Sequence, residues 1–328
     1  MQYRTIGTDP KTRCEVSALS LGAMLFGTRT DEATAFAVLD RYVEAGGTFI
    51  DTSNNYAYWI DDSRGGASEE LLGRWRRSRG ITDQVVIATK LGARPKAAGT
   101  GYVENREGLS AQAIRAEAEG SRQRLGVEKL DLLYAHVEDP TVPLAETVEG
   151  FGALVNEGTV GLLGVSNHWS WRVERARNLA ARAGLPGYEV LQYSHSYFRR
   201  RADLPGALTA DGDQGVVNGD LLSYVREDPA LTLVAYSPLL GGGYTRPDKP
   251  LGPAFDHAGT RARRTVLDEV AAETGATHNQ VVLAWLLGGE IPVIPLVGAS
   301  SVAQLDESLA ALDLELSAEQ RDRLDSAY

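Results

Sequence analysis

Residues 129–167 read KLDLLYAHVEDPTVPLAETVEGFGALVNEGTVGLLGVSN. An apolar run, Lys129 to His136, is followed by an amphipathic stretch, Leu144 to Asn156, and a second apolar run, Val160 to Asn167. Both runs are almost continuously apolar, as strands buried on both faces of a parallel sheet must be. Both end on polar groups, His136 and Ser166-Asn167. This strand–helix–strand unit, with its chemistry at the carboxyl ends of the strands, is the repeating element of the chain.

Outward from it the cycle recurs. Leu19 to Met24 reads as a first strand, and Asp31 to Ala45 as a helix stopped by Gly46-Gly47. Thr48 to Asp51 is the next strand, and Ser68 is expected to cap the following helix, with Glu69 and Glu70 in its first turn. Strand Gln84 to Lys90 leads to helix Ser110 to Leu125. Beyond the opening unit come helix Trp171 to Ala183, strand Glu189 to Ser194, helix Asp220 to Arg226 and strand Leu231 to Ser237. Helices Ala262 to Glu273 and Asn279 to Leu287, strand Pro292 to Leu296 and helices Val302 to Leu312 and Ala318 to Ala327 complete the chain. About eight strand–helix units predict a closed parallel (β/α)8 barrel, a TIM barrel, rather than a doubly wound sheet. No G-x-G-x-x-G follows the first strand. Met1 to Val16, turning near Asp9-Pro10, reads as a β-hairpin at the bottom of the barrel, and the last helix as an addition. Residues 1–328 are read as one barrel domain, and Tyr197 to Gly219 as a long loop facing the active end.

The 328 residues carry a net charge of -11, which disfavours a nucleic-acid surface. Cys14 is the only cysteine, so no intrachain disulfide forms and a reducing, cytoplasmic setting is the default. No apolar run has the length of a membrane span, and the N-terminus has no signal-peptide pattern. The histidines have no metal-ligand spacing. His195 falls near the expected mouth, but an ordinary structural role is favoured; Arg199 to Arg201 read as solvated charges.

Asp51, Tyr56, Lys90 and His136 all lie at or just beyond strand ends. Hydride addition to a carbonyl carbon leaves charge on oxygen, which calls for a proton or a strong donor there. A phenol has a pKa of about 10. A neighbouring ammonium favours its ionised form, and a carboxylate holds that ammonium in place. Lys90 and Asp51 suit these roles around Tyr56, with His136 as a second donor to the oxygen.

The chain resembles the aldo-keto reductase superfamily over nearly its whole length. The resemblance is carried by Phe49-Ile50-Asp51-Thr52-Ser53-Asn54-Asn55-Tyr56, Ile87-Ala88-Thr89-Lys90, Asp131 to His136, Gly164-Val165-Ser166-Asn167, Tyr236-Ser237-Pro238-Leu239 and Ile294 to Ser301. It implies reduction of a small aldehyde or ketone with NADPH, with Tyr56 as the acid. It further implies that Ser166, Asn167 and Gln192 bind the nicotinamide carboxamide, that Tyr236 stacks on the ring, and that Gly22 and Ala23 approach it. Ser237, Leu239 and Gly241 would follow the pyrophosphate; Gly298, Ser300, Ser301, Gln304, Glu307 and Ser308 would meet the adenosine end. Tyr58 and Trp59 are expected to wall the substrate pocket. Where many relatives hold basic residues for the 2′-phosphate, this chain has Ser300 and Gln304, so NADH stays open as the cofactor; Arg246, Lys249 and Arg261 are candidates for the missing charge. Two alternatives have other chemistry: a cofactor-binding redox sensor of the same fold, and an aldolase using Lys90 as an amine nucleophile.

Overall fold

The computed structural model describes residues 1–98, 105–206 and 212–328. Among the described residues there are ten strands: β1 Tyr3–Ile6, β2 Cys14–Ser17, β3 Ser20–Gly22, β4 Phe49–Asp51, β5 Val86–Leu91, β6 Leu130–Ala135, β7 Val160–Ser166, β8 Val190–Ser194, β9 Thr232–Tyr236 and β10 Val293–Gly298. The last eight pair in parallel, in chain order, and β10 closes on β3 through Leu296–Ser20, Val297–Leu21 and Gly298–Gly22. Helices cover the outside, so the fold is the expected (β/α)8 barrel. β1 and β2 form the expected antiparallel hairpin, Tyr3 opposite Ser17 and Ile6 opposite Cys14.

The alternation of each strand fixes what points inward. Phe49, Ala88, Leu132, Tyr134, Leu162, Val190, Val234, Ile294 and Leu296 form one buried cluster inside the barrel, which Ile6 and Val16 of the hairpin join. The intervening residues, such as Ile50, Leu133 and Leu191, pack outward against the helices. Two residues beyond an inward Phe49, Ala88 or Val190, the same face holds Asp51, Lys90 and Gln192. The interior is therefore apolar for most of its height and polar in its last layer.

Several expected boundaries shift. β3 has only three residues, and β5 continues to Leu91. Helix Ala258–Thr274 begins earlier than expected. Ser68 is not a cap: Gly66 holds that position for helix Ala67–Arg79. The Ser68 hydroxyl turns inward, donating to the Ala23 carbonyl at 2.7 Å and lying 2.7 Å from Thr52 Oγ1. Glu69, fully buried, accepts from Thr89 Oγ1 at 2.5 Å and Arg124 Nε at 2.6 Å, a structural tie beyond the helix-dipole role expected of it. A four-residue helix, Tyr58–Asp61, follows Tyr56, where none was expected.

Candidate active site

The turn after β4 is held by the neighbouring strand: Thr52 N–H donates to Ala88 O at 2.8 Å and Asn54 N–H to Lys90 O at 3.1 Å. This folds Tyr56 back over the barrel mouth. Lys90 Nζ, ion-paired with Asp51, donates to Tyr56 Oη at 2.9 Å and to Thr52 O at 2.8 Å. Both charged side chains are only 1% exposed. Asp51 Oδ2 accepts from Gln192 Nε2 at 2.7 Å, and Tyr56 Oη lies 3.3 Å from Asp51 Oδ1. The ammonium thus serves carboxylate, carbonyl and phenol together, which a buried charge requires.

His136, the residue after β6, stands with its ring edge-on to Tyr56, centroids 6.2 Å apart. Its Nδ1 is 3.1 Å from Ser53 Oγ. The four residues read from sequence are therefore one cluster, with Tyr56 and His136 lining the cleft and Asp51 and Lys90 beneath them.

The electrostatic balance differs from the sequence expectation in one respect. Burial and then the Asp51 carboxylate push the Tyr56 phenol well above its usual range, against the expected lowering by Lys90. Burial pulls Lys90 down, opposed by Asp51. Burial, then the Lys90 charge, hold His136 well below the ordinary imidazole range. At neutral pH the cluster presents a protonated phenol and a neutral imidazole. A phenol beside a buried ion pair feels desolvation and the carboxylate as well as the cation, and the first two outweigh the third.

Beside this cluster, Ser166 Oγ donates to Gln192 O at 2.7 Å, and Asn167 Nδ2 donates to His136 O and Ser166 Oγ, both at 3.0 Å. Tyr236 Oη donates to Asn167 Oδ1 at 2.9 Å. Asn167 is in the left-handed region at φ 59°. It does not cap the next helix, whose N-cap is Trp169. The segment after β8 comes close: a Cβ on Gly215 would stand 2.4 Å from Asn167 Oδ1. Part of the Tyr197 to Gly219 loop, residues 207–211, lies outside the described residues. His195, half-buried, stands edge-on against Trp285, and Arg200 and Arg201 bond within the loop itself.

A cleft of about 760 Å³ runs from Tyr56 and His136 past Tyr236, Ser237, Leu239 and Gly241 to Gly298, Ser300, Gln304, Glu307 and Ser308. Gly22, Ser166, Asn167, Gln192, Tyr58 and Trp59 also line it; Ala23 and Ser301 do not. Ala23 is fully buried, and Ser301 caps helix Val302–Ala310 by accepting from Gln304 N–H at 3.3 Å. Tyr58 and Trp59 pack edge-to-face, centroids 5.1 Å apart, and line the cleft with Tyr56. Thr245 and Asn279 line the far end, a role that no motif signalled.

An elongated dinucleotide fits this lining. Ser237, Leu240, Gly241 and Gly242 all have positive φ, and Ser237, Gly241 and Gly242 line the stretch of the cleft where a pyrophosphate would lie. A helix N-terminus at Ser301 adds favourable potential for an anion. Arg246 is the one arginine or lysine among the described lining residues; it pairs with Asp248, Nε to Oδ1 at 3.1 Å. Lys249 faces an adjoining depression, and Arg261 pairs with Asp256 at 3.0 Å. Among the described residues no group of three or more His, Cys, Asp or Glu could hold a metal, and no helix is long and apolar enough to cross a membrane.

The model of the Aldo/keto reductase family matches residues 18–328. The chain is 31% identical to an uncharacterized oxidoreductase of Bacillus subtilis, YrpG, covering 97% of this chain and 93% of that protein. It is 31% identical to norsolorinic acid reductase B of Aspergillus parasiticus, covering 100% of this chain and 84% of that one. Aryl-alcohol dehydrogenase GME11368 of Pestalotiopsis microspora is 26% identical over 97% of this chain and 80% of its own length.

Proposed function

The chain belongs to the aldo/keto reductase family, and on that premise we propose that this oxidoreductase reduces an aldehyde or ketone to the alcohol, with NADPH as reductant and Tyr56 as proton donor. The observation that carries the reading is the Tyr56 hydroxyl in the cleft, 2.9 Å from an ammonium that is itself paired with a buried carboxylate. Bound along the cleft, the reduced nicotinamide supplies the hydride.

The protein's own part is positional and electrostatic. Burial keeps the phenol protonated until a developing alkoxide draws its proton. The phenolate then formed lies beside Lys90 Nζ, which stabilises it, and Asp51 keeps the ammonium charged and in place. Gln192 restrains the other carboxylate oxygen. Asn167 fixes the Tyr236 hydroxyl and so orients the ring proposed to stack on the nicotinamide. Ser166 and Gln192 flank that position, and Gly22 leaves room for it. Ser237, Leu239 and Gly241 suit the pyrophosphate, and Gly298, Ser300, Gln304, Glu307 and Ser308 the adenosine end. Arg246 is the group best placed to face a 2′-phosphate. Tyr58 and Trp59 would flank the carbonyl compound. We read residues 1–328 as one domain, because the barrel strands run from Ser20 to Gly298 and the hairpin joins their interior cluster. Lys90, 1% exposed behind Tyr56, is poorly placed for the aldolase alternative, which needs its amine to reach a carbonyl carbon.

Tyr56→Phe tests the assignment. Its kcat should fall by about 10²–10⁴-fold. Its cofactor Kd should barely change, because the hydroxyl bonds to Asp51 and Lys90 rather than to residues of the nucleotide end. Turnover near wild type would remove Tyr56 from the proton step.

A further inference from the structure

We propose that Glu107 is a positioning residue for Tyr56 that works as a neutral acid: protonated, it clamps the turn after β4 to the segment after β5, and ionised, it releases that turn. The kinetic part rests on the carbonyl-reduction reading; the proton and the clamp do not.

Glu107 lies just ahead of helix Ala111–Leu125, and its own N–H donates to Arg94 O at 2.9 Å. Its carboxyl receives donors from two separate segments. Gly92 N–H, one residue past β5 and two past Lys90, donates to Oε1. Asn54 Nδ2, two residues before Tyr56, is 3.0 Å from Oε1 and 3.2 Å from Oε2. Asn54 is fully buried, and its main-chain N–H donates to Lys90 O. Glu107 thus ties together the two pieces of backbone that carry Tyr56 and Lys90, without being one of the described residues that line the cleft.

Two observations put a proton on this carboxyl. The same amide nitrogen also faces a second carboxyl group, Glu117 Oε2, at 3.3 Å, so one NH2 group meets three carboxyl oxygens. The nearest cation, Arg94, is engaged elsewhere: Nη1 donates to Glu117 at 3.1 Å and Nε to Arg64 O at 3.0 Å. Arg64 also approaches Glu117, at 3.7 Å. Among the described residues, Glu117 therefore has two guanidinium partners and Glu107 has none. Burial, then the Glu117 charge, raise the Glu107 carboxyl to about 8. The second observation is Asn54 Oδ1, buried with no partner among the described residues. A neutral acid beside an amide can close a ring of two hydrogen bonds, N–H to carbonyl oxygen and O–H to amide oxygen. Asn54 Oδ1 is the acceptor for that O–H. An ionised Glu107 leaves it stranded, which is costly for a buried acceptor.

Because folding raises this carboxyl, the contribution of the neutral clamp is complete at acid pH, below the unfolded value, and is lost as pH rises through about 8. Ionisation then sets two carboxylates against one amide, and the turn that carries Tyr56 moves off Glu107.

¹³C spectra of the full chain, labelled at glutamate carboxyls and tyrosine rings, follow the proton directly. The Glu107 signal, assigned by its loss in Glu107→Gln, should titrate at about pH 8. The Tyr56 ring signals, assigned through Tyr56→Phe, should shift with the same midpoint in the wild type. They should stay in place in Glu107→Gln, whose side chain is neutral at every pH and offers Asn54 both a donor and an acceptor. A Glu107 signal that titrates in the ordinary carboxyl range overturns the proposal. So does a Tyr56 shift that persists in Glu107→Gln, which would assign it to Lys90. With a carbonyl substrate, wild-type kcat should fall about tenfold as pH rises through about 8, since a small displacement misaligns the acid. Glu107→Gln should keep the neutral-pH kcat and abolish that fall, which a merely structural role for Glu107 does not predict. A fall of equal size in Glu107→Gln overturns the positioning role. Absence of turnover at every pH counts against the reductase reading alone, and the two sets of signals still decide the clamp.

Discussion

At the scale of single residues, Lys90 is held on every side of its charge. Its ammonium has left water entirely, and its ion pair, phenol and carbonyl contacts offset that desolvation. Removing it strands the Asp51 carboxylate, which is also 1% exposed. Lys90→Met should therefore lose stability as well as activity, by about 3–5 kcal/mol. Adding Asp51→Asn should restore part of that loss, because the uncompensated charge is gone. Urea denaturation of the single and double variants checks this; a single variant as stable as wild type would mean that Asp51 finds another partner or a proton. Asp51, Tyr56, Lys90 and His136 were legible in the sequence because each interrupts or follows an apolar run at a strand end. Their electrostatic balance was not, since the shift of the Tyr56 phenol depends on burial and on Asp51 as well as on Lys90. Ser53 stood in the quoted motif, but its contact with His136 exists only once β4 and β6 are brought together by β5.

At the scale of elements, strand order followed from strand count, because parallel strands with helical crossovers pair in sequence around a closed barrel. The ends of elements were harder to read, for reasons that Ser68 illustrates. A serine two residues into an acidic turn has the composition of a cap, yet the barrel mouth supplies better partners in Ala23 and Thr52. Gly73 has a similar history. It sits in the interior of helix Ala67–Arg79, where glycine is intrinsically unfavourable, and local propensity alone says that alanine would stabilise by about 1 kcal/mol. The neighbouring helix Ala111–Leu125 says otherwise: a Cβ on Gly73 would lie 2.3 Å from the Arg124 carbonyl oxygen. Backbone cannot yield as a side-chain tip does. Gly73→Ala should therefore destabilise, by about 1–3 kcal/mol net. A rise in the urea midpoint would show that the two helices slide apart at little cost.

At the scale of the whole molecule, the proposed nucleotide cleft crosses the seam where the barrel closes. Its lining comes from the ends of β3, β7, β8, β9 and β10, and β10 meets β3 through three paired residues. A ligand lying across these ends binds the closed barrel and has no site on the unfolded chain. At about 100 times its Kd it should add about 2.7 kcal/mol of stability. The size of the effect depends on the nucleotide. With a net charge of -11 the protein repels polyanions at long range, and Arg246 is the one arginine or lysine among the described cleft residues. If Arg246 faces the 2′-phosphate, NADP⁺ should raise Tm more than NAD⁺ at equal concentration, and Arg246→Gln should bring the two shifts together. Asp248 competes for the same guanidinium, so the difference should be modest and should fade as salt is added. Thermal unfolding at low and moderate ionic strength, with each nucleotide and with both forms of residue 246, separates the possibilities. A larger shift with NAD⁺ in the wild type would make NADH the cofactor. A preference for NADP⁺ that survives Arg246→Gln would move phosphate recognition to the uncharged donors around Ser300 and Gln304.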